Sequence, residues 1–325
     1  MDSTDQLTIK LTEISRFHDA IIDTLGTYIV GNSNLLDLIF IALLSEGHIL
    51  IEGVPGTAKT TIAKAFALAT NCMFRRIQGA VDLQPADLIG VTIYDQATRT
   101  FVLRHGPIFS NVLLADEINR INPKSQSAFI EAMSEQQATI DGNTYGLPSP
   151  FLVIATQNPY ELQGTFPLIE AQRDRFMFGL QTGHLGSDDE LELVRRASYG
   201  KLNWNDFSKS LALHITKDKL LEMIQTVNTV RIEAPVLTYI RDIVSATREN
   251  LDIDLGASSR ASIAFVRGAR AKAAIANRTY VLPDDVKALA YDILSHRIIL
   301  SREVEVEGLL PKDVVRDILE TLEVP

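Results

Sequence analysis

The 325-residue chain contains a single cysteine, Cys72, so it can form no internal disulfide and no cysteine-rich metal site. No apolar run reaches the roughly 18 residues that a membrane-spanning helix requires. The N-terminal MDSTDQ has neither the basic region nor the apolar segment of a secretory leader. A cytoplasmic location is the resulting expectation. Basic charge is not in excess either: 31 Lys and Arg stand against 41 Asp and Glu, a formal net charge of −10. A protein that tracks a nucleic-acid backbone usually carries a basic stripe. None is visible in this chain, although a fold can gather scattered arginines into one. The six histidines are dispersed and form no HxxxH pair, so each is read as structural rather than as a metal ligand.

What remains is the composition of an ordinary soluble globular protein, 46% hydrophobic and 22% charged. The length leaves room for about two domains. Up to about residue 182 short apolar runs alternate with helical patterns. The runs are HILIE (48–52), MFRRIQGA (73–80), NVLLAD (111–116), FLVIAT (151–156) and FMFGL (176–180). Buried strands that alternate with helices argue for an α/β fold, a parallel sheet with helices on both faces. Two hairpins interrupt the alternation. One joins VTIYD (91–95) to TFVLRHG (100–106); the other, at 138–147, turns at Asp141-Gly142. From about residue 183 the pattern is amphipathic helix without strong strands, and Pro283-Asp284-Asp285 is a good helix start. The expected division is an α/β domain at 1–186 and a smaller helical domain at 187–325.

The stretch GVPGTAKT (53–60) lies between the first strand and a helix, TTIAKAFALA (60–69). A glycine-rich loop leading into a helix N-terminus presents free N–H groups and the positive end of the helix dipole, which suits phosphate. Lys59 would reach the β- and γ-phosphates, and the Thr60 hydroxyl would hold Mg²⁺. The common pattern has Gly immediately before the lysine, where this chain has Ala58.

NVLLADE ends in two acids, Asp116 and Glu117, at the carboxyl end of an apolar strand. Ligands of open α/β sheets bind at such ends. Asp116 would hold Mg²⁺ through water, and Glu117 would polarise an attacking water. Asn158, after FLVIATQ, could touch the γ-phosphate, yet locally it is the turn former expected before Pro159. Arg175 could stabilise charge on a transferred phosphoryl group, yet locally an ion pair with Asp174 or Glu170 accounts for it. Arg260 lies in the first turn of a helix capped by Ser258 or Ser259. There it opposes the helix dipole at a cost of about 0.3–1 kcal/mol. A phosphate nearby would reverse that cost, and a guanidinium reaching away from the helix end would avoid it.

Taken in order, GHILIEGVPGTAKT, DLQPADLIG, GPIFSNVLLADEINR, ATQNPYELQGTFPLIEAQRDRF, GASSRASIAFVRGARAKA and YVLPDDV resemble the MoxR family of AAA+ ATPases. The resemblance runs from about residue 28 to about 316, and it makes Ala58 a familiar variant. It implies a P-loop sheet followed by an all-α lid. In that frame Gly53, Val54, Pro55, Gly56, Thr57, Ala58, Lys59, Thr60 and Thr61 match Walker A, Asp116 and Glu117 Walker B, and Asn158 sensor 1. Arg175 matches the arginine finger acting on a neighbouring subunit, and Arg260 matches sensor 2. Tyr28, Ile29, Val30 and Gly31 match the adenine-pocket segment, residues 88–106 the helix-2 insert, and residues 136–148 the pre-sensor-1 hairpin. ATP and Mg²⁺ are the implied ligands, with ATP between the α/β domain and the lid, in reach of the same chain's Asn158 and Arg260.

A homo-oligomeric ring, typically a hexamer, is implied as well. So are an unidentified client protein to be remodelled or matured and a separate partner with a von Willebrand factor A domain. Nucleic acid is not expected as a partner. Related ring ATPases suggest two alternatives. A DNA-dependent motor is disfavoured by the charge, and on a metal-chelatase-like motor subunit the sequence is silent. A nucleotide-gated scaffold with little turnover is argued against by the intact Asp116-Glu117 pair.

Overall fold

The computed structural model describes residues 3–54, 56–159, 161, 163–211 and 215–325. Two helices, α1 (Ser3–Gly26) and α2 (Ser33–Leu44), lead into strand β1 (Ile49–Gly53), helix α3 (Lys59–Ala69) and strand β2 (Phe74–Gln78). A short α4 (Pro85–Ile89) then precedes the hairpin of β3 (Gly90–Asp95) and β4 (Thr100–His105). Strand β5 (Val112–Asp116) is followed by α5 (Pro123–Glu135) and the hairpin of β6 (Gln137–Ile140) and β7 (Asn143–Gly146). Strand β8 (Leu152–Gln157), the single turn α6 (Glu170–Arg173) and β9 (Phe178–Thr182) complete this part. The remainder is α7 (Ser187–Ser198), α8 (Trp204–Ser210), α9 (Lys217–Val227), α10 (Ala234–Glu249), β10 (Ile253–Leu255), α11 (Ser259–Ile275), α12 (Pro283–Leu294), β11 (Ile299–Leu300), α13 (Arg302–Val306) and α14 (Pro311–Thr321). The expected α/β sheet and helical lid are therefore both present. The lid also carries an antiparallel ribbon, β10 with β11, too short to have a sequence signal.

The central sheet has the order β2-β5-β8-β1-β9 with every neighbouring pair parallel. Its side chains alternate between two buried clusters, as the period of a strand requires. Ile49, Ile51, Val112, Leu114, Leu152 and Ile154 join one cluster with α2, α3 and the lid helices. Leu50, Leu113, Ala115, Val153 and Ala155 join the other, with Phe129, Ile130 and Met133 of α5. Both faces are covered, which is why these strands read as uninterrupted apolar runs.

Local chemistry starts the elements where the motifs need them. Asn122 caps α5 by accepting from the Ser125 N–H at 3.0 Å, with Pro123 in the first helical position. Asp141 and Gly142 both have positive φ, 49° and 81°, as a two-residue hairpin turn of the primed type demands. Buried His48 fastens β1 to its surroundings: its Nε2 donates to the Met133 carbonyl at 3.2 Å and its Nδ1 accepts from the Val153 N–H at 3.1 Å. Burial pushes its pKa down to about 4, so the ring is a neutral strut at physiological pH.

Candidate functional site

The parallel order sets the carboxyl ends of β1, β5 and β8 side by side, and the loop after β1 opens there. Gly53 ends β1 directly against Thr182, whose carbonyl oxygen leaves no room for a Cβ. Gly56 has φ +84°. Pro55 lies outside the described residues. Ala58 has φ +58° and ψ +15°, a left-handed conformation at the N-cap of α3. The usual glycine at this position is thus a matter of backbone conformation. An L-residue held there costs about 1–2 kcal/mol. Ala58→Gly is expected to raise unfolding stability by up to about 1 kcal/mol, since glycine's larger unfolded-state entropy offsets part of the relief. Denaturant melts without nucleotide measure this; a loss of stability would show that the loop carries no strain.

The first bond within α3 runs from the Ile62 N–H to the Ala58 carbonyl. The N–H groups before it are left without helical partners, as at every helix start. Lys59 Nζ donates to the carbonyls of Gly53 at 3.1 Å and Val54 at 2.9 Å, so the lysine folds back over its own loop. Burial lowers its pKa, and the Asp116 carboxylate partly opposes that shift. Thr60 and Thr61 follow in the first turn, both half-buried.

Asp116 closes β5. Its Oδ1 accepts from Thr156 Oγ1 at 2.6 Å, and its Oδ2 lies 2.7 Å from Arg76 Nη2. Glu117 has φ +55°, which turns the chain sharply out of the strand. Its N–H donates to Thr156 Oγ1 at 3.0 Å, so one threonine orients both acids. The Glu117 carboxylate accepts from Gln78 Nε2 at 2.9 Å and lies 3.6 Å from Arg120. Asn158 follows β8, and its carbonyl accepts from Asn119 Nδ2 at 3.4 Å.

A pocket of about 550 Å³ adjoins the loop. Tyr28, Ile29 and Val30 line it together with Gly56, Thr57, Ala58 and Thr61, so the N-terminal segment and the loop share one cavity. Gly31 beside it has φ +64°. Tyr28 stacks on Phe207 at 4.5 Å and donates through its hydroxyl to the Leu202 carbonyl at 3.1 Å. The far wall comes from His184, Leu185, Glu190, Leu193 and Leu202. The sequence reading missed these residues, because nothing local distinguishes them from any helix face and linker.

The two candidate arginines lie elsewhere. A second cavity, about 250 Å³, opens beside the amino ends of β1 and β9, the opposite end of the strands from the loop. Arg175, Arg260, Arg267 and Arg297 line it with Asp174, Glu46 and Ser134. Arg175 forms neither of the ion pairs expected locally; its Nη1 donates to Ser134 Oγ at 3.4 Å. Asp174 is engaged by the lid instead. It accepts from Ser258 Oγ at 2.8 Å and Arg260 Nη1 at 3.4 Å, and Arg297 Nε lies 3.1 Å away. Ser258 is the cap of α11, accepting from the Arg260 N–H at 3.1 Å.

Arg297, with 2% of its side chain exposed, also donates to the carbonyls of Asp174, Phe176 and Met177. Burial draws its pKa down to about 10, against the pull of Asp174, so it stays charged. These contacts hold the first turn of α11 beside Arg175. Arg260 therefore lines a cavity with Arg175 and does not line the pocket beside the loop of residues 53–60.

Comparison with known proteins agrees with this architecture. Residues 48–178 match the model of the ATPase family associated with various cellular activities (AAA), and residues 245–318 match the AAA lid domain. The uncharacterised protein YeaC of Bacillus subtilis is 41% identical over 94% of this chain and 93% of its own length. Chaperone MoxR1 of Mycobacterium tuberculosis is 36% identical over 91% of this chain and 79% of its own. A crystal structure of a candidate ATPase from Cytophaga hutchinsonii superposes with a TM-score of 0.90 at 41% identity, covering 99% of both chains. With its P-loop sheet, its lid and these relatives, the chain belongs to the MoxR family of AAA+ ATPases.

Proposed function

We propose that this protein hydrolyses ATP in a Mg²⁺-dependent manner within a homo-oligomeric ring, each catalytic centre being built from two neighbouring subunits. One observation carries the reading: the loop with Lys59 and the cavity with Arg175 and Arg260 occupy opposite ends of one parallel sheet. A head-to-tail ring sets one end of a subunit against the other end of the next, and this interface type closes into rings. Each subunit then supplies the phosphate loop to one nucleotide and two arginines to another.

The residues present suit Mg²⁺. Thr60 and Asp116 offer a hydroxyl and a carboxylate oxygen, the hard donors this ion prefers. Among the described residues no cluster of three or more His, Cys, Asp or Glu could hold a metal alone. That matches an ion that keeps several waters and leans on substrate phosphates. Held by Thr60 and Asp116, Mg²⁺ would neutralise charge on the phosphates.

The remaining steps belong to the protein. The segment 28–30 and the lid residues Leu185 and Leu193 sandwich the base. Lys59 leaves the Gly53 and Val54 carbonyls for the phosphates, a better partner for a partly desolvated ammonium. Glu117 orients the attacking water, and Asn158 contacts the γ-phosphate. Arg175 and Arg260 of the adjoining subunit stabilise charge on the transferred group.

Remodelling or maturation of a client protein is the work this turnover would drive, since one relative is named a chaperone. A separate von Willebrand factor A domain protein is the partner the family resemblance suggests. No described helix is long and apolar enough to cross a membrane.

Phosphate release by the purified chain is expected to require Mg²⁺ and to vanish in EDTA. Light scattering with ATP is expected to give about six times the 36.0 kDa chain mass. Full turnover by a strict monomer would overturn the two-subunit centre.

A further inference from the structure

We propose that Arg76 is a built-in counter-ion for Asp116 that a divalent cation must displace, so that metal loading and release of Arg76 are one event. The inference rests on the reading of Thr60 and Asp116 as the metal ligands. Strand β2 is the edge of the sheet and runs in register with β5, with Gln78 level with Asp116 and Arg76 level with Leu114. Residues two apart on a strand share a face. Arg76 and Gln78 therefore lie side by side along the acidic end of β5.

The contacts form an unbroken chain of charge-assisted bonds. Arg76 Nη2 lies 2.7 Å from Asp116 Oδ2 and also donates to Gln78 Oε1. Gln78 Nε2 in turn donates to Glu117 at 2.9 Å. Since Thr156 occupies Asp116 Oδ1, both carboxylate oxygens have donors. Of the other cations nearby, Lys59 has its ammonium bound to the Gly53 and Val54 carbonyls, and Arg120 lies against Glu117 and Glu161. Arg76 is thus the cation in direct contact with the acid. A divalent ion drawing on the same carboxylate would meet a positive guanidinium within a few ångströms, and like charges so close repel. The Arg76 side chain is 44% exposed and sits on an edge strand, so it can swing into water. Asp116, at 19% exposure, stays in place to receive the ion.

The test is a Mn²⁺ titration of the full-length protein with saturating ADP, with free Mn²⁺ counted by electron paramagnetic resonance. Arg76→Gln is expected to bind Mn²⁺ about threefold more tightly, the effect of removing a half-exposed charge pair from the reference state. Unchanged or weaker binding by a variant that melts cooperatively would overturn the proposal and make Arg76 a fixed support of Asp116. Should Arg76→Gln fail to fold, Arg76→Ala carries the test. It also removes the charge, so it is expected to bind Mn²⁺ about threefold more tightly, and unchanged binding overturns the proposal. Asp116→Asn separates the two readings. It must weaken Mn²⁺ binding if Asp116 is a ligand at all; if it does so while both Arg76 variants bind as wild type, only the counter-ion role fails.

Discussion

Glu117→Gln is expected to bind ATP as the wild type does while turning it over about 10²- to 10⁴-fold more slowly, the range lost with a general base. The two side chains have the same shape, and the amide oxygen can still accept from Gln78 Nε2, as the carboxylate does at 2.9 Å. The backbone that aims the side chain is untouched, because φ of +55° and the bond from the Glu117 N–H to Thr156 Oγ1 do not involve the carboxylate. What disappears is the capacity to polarise a water. Lys59→Ala is the contrasting case, expected to lose binding together with turnover, since it removes the cation at the mouth of the loop. Steady-state phosphate release and fluorescent-nucleotide titration measure the two quantities separately. Residual turnover by Glu117→Gln above about a tenth of wild type would assign the water to another residue.

Arg175→Ala and Arg260→Ala are each expected to lower turnover about 10³-fold, the lower end of what an arginine finger contributes. Each leaves ATP binding at the variant's own phosphate loop largely intact, because neither side chain lines that pocket. The decisive measurement mixes Arg175→Ala subunits with Glu117→Gln subunits. The first kind has a complete loop and water-orienting acid; the second has both arginines. Where an Arg175→Ala loop faces a Glu117→Gln neighbour, one complete centre forms. Random mixing in equal amounts restores activity toward about a quarter of wild type in a head-to-tail ring. The same mixture made with Arg260→Ala is expected to behave alike, because Arg260 and Arg175 share a cavity. Rescue of Arg175→Ala without rescue of Arg260→Ala would return Arg260 to its own chain's nucleotide.

The unequal legibility of these features follows from how far apart their causes lie in the chain. The sequence alone determined the alternating sheet, the helical lid, the two hairpins, the glycine-rich loop between β1 and α3, and the two acids at the end of β5. Each of these is written in the periodicity of a short window or in residues adjacent along the chain. It also determined the neighbourhood of Tyr28, once the family resemblance was seen.

Three things were decided only by tertiary structure. Ala58 is left-handed at the N-cap of α3, a conformation that no pattern of neighbouring residue types announces. Arg76 became part of the site because β2 pairs with β5, although the two are separated by the whole first hairpin. Arg260 lies beside Arg175 because Asp174 binds both it and Arg297, which is 123 positions from Asp174 in sequence. A pattern of nearby residues reports the faces and turns of one element. Which ends of distant elements meet is set by buried contacts such as Arg297 with Asp174, and those have no local signature.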